Sequence, residues 1–536
     1  MKKYCLNLAN FILIFLFSIF ALSNIGFIFK LPINYAYIIL SLFLATFYLF
    51  KTKKFAKKFI LISIIFILSF IFANFFIDTS FDGRCYHFAT ENLLKLGFNP
   101  IYDNIKEFAN SNNIYYNLLF SGSYPNAIET IRANFYLLFQ NMESSKIVNY
   151  LLLTAGLLYS NYFFLNKLNK INSAILSFAT ILCSVSICQV ATKMADFSLY
   201  YIFILQLFSL ILIDKKEDVK ENSFVFATSS ILALATKYTG LLNTAIIFSV
   251  YFIYKLIKKE DVKHFAKITL ITFIGSLILT IQPYITNTIK FKNPFYPSIG
   301  HNKLDFMTKQ NPLEFNNKPY IYKFTRSMFS SASDSRQNNP QTPKLYWKAP
   351  FTAHYDMPYV AEDVRINGFG HLFSGIFLLS VIFTIYCLVT NKNRLAYLII
   401  ILSVFLNPIC WWARFVPQLH LLPILNCYSL RKNKWIFYIL SILLIINGLW
   451  IYKENFSTSG YKTYVMSNFY NDLYDNSQIK QLKVYIDKTP YDEDDTTILF
   501  RMKEYGINYT LTDKATNDFK TIHTDCTITK SYKISY

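Results

Sequence analysis

Apolar runs of roughly membrane-spanning length alternate with short polar turns along most of this chain. They lie near 9–29, 33–50, 59–78, 146–165, 172–191, 197–213, 223–236, 240–257, 268–289, 371–390, 395–411, 414–429 and 435–452. A spanning helix needs about 20 mostly apolar residues, so the pattern predicts an all-α polytopic membrane protein with about 13 transmembrane helices. Two places break the rhythm. The stretch 223–257 is too long for one helix and short for two, with Lys237, Tyr238, Thr239 and Gly240 at its middle, and it reads as two short helices meeting at a turn. The run 414–429 is also short and carries Pro417 near its start. Broken helices at membrane depth are tolerated where they line a cavity.

The polar turns fix an orientation. Dense Lys/Arg segments at 51–58, 166–170, 214–222, 258–267, 391–394 and 431–434 all fall on one side if the chain starts inside. Positive loops stay cytoplasmic, which predicts a multi-pass inner-membrane protein with a cytoplasmic N-terminus. Met1, Lys2 and Lys3 precede a long apolar run without a small-residue cleavage site, so this segment reads as an uncleaved first span. The division that follows is 1–78 as N-terminal spans, 79–145 as a first periplasmic loop, 146–289 as the membrane core, 290–370 as a large periplasmic loop, 371–452 as C-terminal spans and 453–536 as a periplasmic domain. In the first loop, 86–96 and 126–140 are amphipathic at helical spacing and read as interfacial helices. In the tail, 478–487 and 498–505 read as helical while 508–512 and 521–535 alternate like strands, which predicts a small α/β unit.

Composition agrees with the pattern: 53% of residues are hydrophobic, 16% are charged and the mean hydropathy is +0.30. A soluble chain would be about 25% charged. The net charge of +21 is spread over short loops and does not mark one patch, which argues against nucleic acid and for membrane lipids as partners. The eight cysteines include no C-x-x-C pair. Most lie in apolar runs as small hydrophobes, whereas Cys85 and Cys526 fall in loops and leave a disulfide between them open.

Candidate chemistry gathers at the predicted outer surface. Asp82 follows a span and precedes an amphipathic helix, where it either caps that helix or serves as a base. His87 and Glu91 sit four residues apart, as an ordinary solvated pair or as site groups. Asp196 is a helix cap or a site acid, with Lys193 as a possible partner on spacing. Lys237, between two apolar helices, needs a partner or water. Arg414, beside Trp411 and Trp412, is an interfacial anchor or a functional cation. No H-E-x-x-H, G-x-S-x-G or Walker loop is present.

Several short motifs occur together and in order: Phe81-Asp82-x-x-x-Tyr86-His87 reaching Asn99-Pro100, the stretch ending in Asp196, Lys237-Tyr238-Thr239-Gly240, Asn293-Pro294-Phe295-Tyr296-Pro297, Ala413-Arg414-Phe415 and Gly506-Ile507-x-Tyr509. As a set they resemble bacterial GT-C glycosyltransferases of the kind related to protein mannosyltransferases and lipid A sugar-transferring enzymes. The resemblance implies transfer of a sugar from a polyprenyl-phosphate donor to a glycan, lipid or protein acceptor on the periplasmic face. It implies Asp82 as the catalytic carboxylate and Asp196 as a supporting acid. Lys237 and Arg414 become donor-phosphate contacts, with Tyr86, His87 and Glu91 at the substrate. The chain departs from the family in carrying Phe88-Ala89 where Leu-Pro is usual and in lacking an adjacent acidic pair in the first loop. No cofactor is therefore assigned, and a divalent cation, Mg or Mn, stays an open requirement. Two rival functions are a polysaccharide polymerase or ligase and a lipid-linked sugar flippase. The large loop carries only Arg326, Arg336 and Arg365, which disfavours the first. Internal repeats, common in transporters, are absent, which disfavours the second.

Overall fold

The computed structural model describes all residues except 113–117, 306–310, 332–344, 353–361, 487–496, 513–519, 525–526 and 536. Arg336 and Cys526 lie outside the described residues. Helices dominate. Among the described residues, six are long and apolar enough to cross a bilayer: Lys2–Ile28, Phe55–Phe75, Glu143–Phe164, Asp196–Asp214, Tyr238–Ile257 and Lys434–Ile479. Asp196–Asp214 is wholly enclosed by protein, whereas Phe55–Phe75 presents most of its surface outward. The first is therefore the centre of the bundle and the second its apolar outer rim.

These long helices are fewer than the 13 apolar runs, because several runs form short or broken helices. The run 268–289 is a pair, Lys263–Leu279 and Ile281–Phe291, bent by 75°. Gln282 leaves the helical region there, as a residue before proline tends to. The run 172–191 splits into Lys170–Ile181 and Ser184–Gln189 around an extended Cys183. Gly448 makes room for that split, since a Cβ there would fall 2.6 Å from the Leu182 Cβ. The run 395–411 is helical only over Arg394–Phe405, and 414–429 only over Leu421–Ser429, after two 3-10 turns. By contrast, 223–257 forms two helices, Val219–Thr236 and Tyr238–Ile257, that break at Lys237.

The polar turns sort to two ends of the bundle. At one end Lys2 pairs with Glu217 at 2.9 Å and the Tyr4 hydroxyl donates to the Lys57 carbonyl at 3.3 Å. Lys255 pairs with Asp214 at 2.8 Å, and Tyr438 donates to Asn172 at 3.2 Å. Lys215 stands 5.5 Å above the Tyr428 ring. Most of the segments read as cytoplasmic thus lie at or next to one end. At the other end the Ile77 N–H donates to Thr463 at 3.0 Å, and Lys462 reaches Glu362 at 2.8 Å. The first loop, the large loop and the tail meet there.

The two amphipathic helices of the first loop are packed into protein. Phe88–Lys95 packs on Ala127–Phe139, and every residue from Ala127 to Tyr136 is buried. Cys85, expected in an open loop, is only 3% exposed.

The tail begins with a continuation of a span. Lys434–Ile479 is one helix of 46 residues, about 70 Å long, more than twice the hydrocarbon thickness. Met466, Tyr470 and Leu473, spaced along one face, pack on a sheet of four strands: β1 (Leu482–Ile486), β2 (Tyr509–Thr512), β3 (Lys520–Thr524) and β4 (Thr527–Ser535). Their order is β2-β1-β4-β3, with β1 parallel to β2 and antiparallel to β4. The segment 478–487, read as helical, instead supplies β1, where Leu482 and Val484 are buried and Lys483 is exposed. This period of two is the mark of a half-buried strand. The helix Thr497–Glu504 closes the small core.

Candidate functional site

Lys237 is delivered by the helix break. Its backbone is extended, with φ −163° and ψ 153°, so the side chain leaves between two helix ends. Gly240 lets those ends close: a Cβ there would lie 2.2 Å from the Ala233 carbonyl oxygen. The ammonium donates to Asp196, the first residue of the central helix, and sits 4.9 Å above the Phe415 ring.

Arg414 is held by the large loop. The Ala413 and Arg414 N–H groups donate to the Arg365 and Val364 carbonyls at 3.1 and 3.0 Å. From that position the guanidinium reaches three carboxylates. Nε donates to Asp196 at 2.8 Å, Nη1 to Asp363 at 2.6 Å and Nη2 to Asp82 at 2.6 Å. Asp363 also accepts from Arg365, whose guanidinium lies 4.2 Å from the Trp412 ring centroid. Three cations therefore face three carboxylates in one continuous cluster. Burial would push the Asp363 carboxyl up, but Arg414 and then Arg365 outweigh it and hold it well below the usual carboxylate range.

Four sequence candidates thus meet at one point, and none takes its simplest structural reading. Asp82 has helical dihedrals and makes no capping bond, its carboxylate turning to Arg414. Asp196 spends both oxygens on cations. Arg414 is buried, unlike an interfacial anchor. Exposure separates the acids: the Asp196 side chain is 1% exposed, against 21% for Asp82 and 19% for Asp363. The cluster opens on the Asp82 and Asp363 side.

Tyr86 lines that side in a row of rings. Its centroid is 5.0 Å from Phe120 and 6.4 Å from Tyr124, and Tyr124 is 5.1 Å from Tyr238. Burial, and then the negative charge of Asp82, push the Tyr86 hydroxyl well above its ordinary value. Tyr238 donates to the Tyr296 carbonyl at 2.8 Å, which seats the 293–297 segment against the Lys237 break.

His87 and Glu91 point elsewhere. They are not a solvated pair: His87 bonds Glu129, and Glu91 bonds Lys193. Lys193 therefore pairs with Glu91 and not with Asp196. Arg132 lies 3.8 Å from Glu91, and the Lys193 N–H donates to Asp78 at 2.7 Å. Arg501 of the tail joins this layer through Glu143 and the Asp78 carbonyl. Burial would lower the Arg501 guanidinium, but Glu143 outweighs it and raises it. A buried ionic layer thus ties the tail to the first loop directly beneath the cluster.

Asp363 and Arg365 were missed as a pair. The available signal was Glu362-Asp363, an acidic pair inside a loop with eleven Lys/Arg and six Asp/Glu. Among the described residues no group of three or more His, Cys, Asp or Glu is placed to share a metal ion.

No protein-family model matches the chain, and no curated protein does. Among solved structures the chain is similar to the crystal structure of ArnT from Cupriavidus metallidurans bound to undecaprenyl phosphate. That likeness has a TM-score of 0.47 at 12% identity and covers 86% of this chain and 87% of that one.

Proposed function

We propose that the chain is a GT-C-type glycosyltransferase that moves a sugar from a polyprenyl-phosphate-linked donor to an envelope glycan, lipid or protein on the periplasmic face of the inner membrane. The observation that carries this reading is the Arg414 node, one guanidinium shared by Asp82, Asp363 and Asp196. A phosphate arriving from the exposed side competes for Nη1 and Nη2, because a guanidinium fork matches phosphate oxygens as well as carboxylate ones. Nε stays on Asp196, so the cation keeps its place while its outward face changes partner. Lys237, anchored on the other Asp196 oxygen, is the second cation for the phosphate. Asp196 is thereby a positioning residue for both.

Displacement from Nη2 frees the Asp82 carboxylate to act as base. The acceptor oxygen attacks the anomeric carbon and forms the new C–O bond, and its proton passes to Asp82. The bond from that carbon to the phosphate oxygen breaks, and the electron pair leaves on the polyprenyl phosphate. The row of rings at Tyr86 and Tyr124 offers flat surface for sugar or isoprenoid. His87 and Glu91 hold the floor of the site through the buried ionic layer.

The test is transfer by purified protein in proteoliposomes, offering polyprenyl-phosphate and nucleotide sugars side by side. The lipid-linked sugar should be used. Asp82→Asn should keep donor binding and lose about 10²–10⁴ in rate, as removal of a positioned base does. An unimpaired Asp82→Asn enzyme would leave the reaction without its base, and exclusive use of the nucleotide sugar would end the donor assignment.

A further inference from the structure

Helices Phe373–Val389 and Leu421–Ser429 run away from the Arg414 cluster and end at a second feature. There a cavity of about 730 Å³ is lined by Ile382, Phe383, Tyr386, Lys392, Arg431 and Lys432 among others. Its floor is fixed. Asn393 donates to the Ser429 hydroxyl at 2.8 Å, and the Tyr397 hydroxyl donates to the same oxygen at 3.1 Å and to Asn426 at 2.8 Å.

Three cations at the same end hold carboxylates and the three cations of the cavity do not. Lys2, Lys3 and Lys255 each hold a carboxylate. Lys392 instead leans on the Tyr386 ring at 4.9 Å, and Arg431 donates to the Tyr428 carbonyl at 3.0 Å. Among the described residues none of Lys392, Arg431 and Lys432 takes part in an ion pair. Ile382, Phe383, Leu430 and Ile436 supply apolar wall, and around it Ile382, Tyr386 and Ile439 are exposed and Trp435 is 79% exposed. An exposed Trp beside lysines marks headgroup depth.

We propose that this cavity binds the headgroup of an anionic glycerophospholipid. Lys392, Arg431 and Lys432 take the phosphate, and Ile382 and Phe383 take the first acyl methylenes. Unpaired cations over apolar walls between helix ends suit an amphiphile with a charged head, and a wholly soluble anion would leave the apolar walls and rim without a partner. The proposal stands on the cavity and is independent of the transferase reading.

The test is native mass spectrometry of the full chain released from nanodiscs holding equal phosphatidylglycerol and phosphatidylcholine. A cation near an anionic headgroup contributes roughly fivefold, so three give roughly a hundredfold enrichment of phosphatidylglycerol. Lys392→Gln/Arg431→Gln/Lys432→Gln should bring the ratio near one. The single Lys432→Gln, at an exposed position that folding does not need, should lower it about fivefold. Lys53→Gln/Lys54→Gln/Lys57→Gln, on another basic turn at this end, should leave it unchanged. No preference in the wild type, or a preference kept by both the triple and the single cavity variants, would overturn the proposal. So would a preference lost with the other turn, or displacement of the bound lipid by inorganic phosphate alone.

Discussion

Arg414→Lys keeps a positive charge at the node and removes the fork. The guanidinium makes three charge-assisted bonds, at 2.8, 2.6 and 2.6 Å. An ammonium on a shorter stem reaches one of these acids well. Asp196 retains Lys237 and Asp363 retains Arg365, so neither is left unpaired. Asp82 loses the partner that held it, but its partial exposure lets water take over. Two lost charge-assisted bonds, at about 1.5–3 kcal/mol each, set an upper limit of roughly 3–6 kcal/mol, and resolvation of Asp82 removes part of it. Folding should therefore survive with a lowered unfolding temperature. Donor handling should suffer more, because the phosphate needs both outward nitrogens together. Loss of one such bond to phosphate is worth about 10- to 150-fold. The assay is saturation with lipid-linked sugar in proteoliposomes, read beside thermal unfolding of the same preparations. The expected pattern is a donor KM raised by at least about tenfold with acceptor KM unchanged. An Arg414→Lys enzyme with wild-type donor KM would show that the node is a structural clamp and that phosphate binds elsewhere.

Three further outcomes follow from the same geometry. Lys193→Met removes the nearer of two cations from the fully buried Glu91, leaving Arg132 at 3.8 Å, and should cost less than the about 3–5 kcal/mol of a wholly unpaired buried charge, seen as lowered folded yield, while adding Glu91→Gln should recover part of it. Burial pushes the Glu504 carboxyl up to about 7, with Arg501 opposing and Glu143 adding, and Lys95 and Lys503 stand nearby. A raised acid favours its neutral form in the fold, so its stabilisation is full below about 4.5 and is lost as pH rises through about 7. Glu504→Gln should flatten the unfolding temperature over that window, and an unchanged slope would exclude Glu504 as its source. For orientation, in a Cys526→Ser background, Tyr102→Cys should react with an impermeant thiol reagent in intact spheroplasts and Lys259→Cys only after lysis. The reverse result would invert the chain in the membrane.

What the sequence showed of this molecule was governed by whether the information was local. The break at Lys237 was legible because a lysine and a glycine interrupt one apolar run. Asp82, Asp196 and Arg414 stood out because charge at membrane depth is rare. Their partners were not legible. Asp363 lies 51 residues before Arg414, and only the backbone pairing of 364–365 with 413–414 brings them together. Lys193 and Asp196 lie three residues apart yet do not pair: Lys193, just before the central helix, faces Glu91, and Asp196, at its first position, faces Lys237 and Arg414. Apolar runs did not show where helices end for a related reason. Hydropathy cannot see a kink at Gln282, or that most of an amphipathic helix such as Ala127–Phe139 is buried in protein.

The unbroken helix Lys434–Ile479 works as a ruler between the bilayer and the tail. Each added residue would lift the tail by about 1.5 Å and swing it by about 100° around the axis. One insertion between Ile451 and Met466 would carry Arg501 around the helix and away from Glu143 and Asp78. Seven insertions would restore the direction to within about 20° but raise the tail by roughly 10 Å, out of reach of the first loop. Height and angle cannot both be recovered by any small change in length. The segment between membrane and tail is thus under a constraint of number more than of identity: many side chains there are replaceable, and no residue can be added or removed.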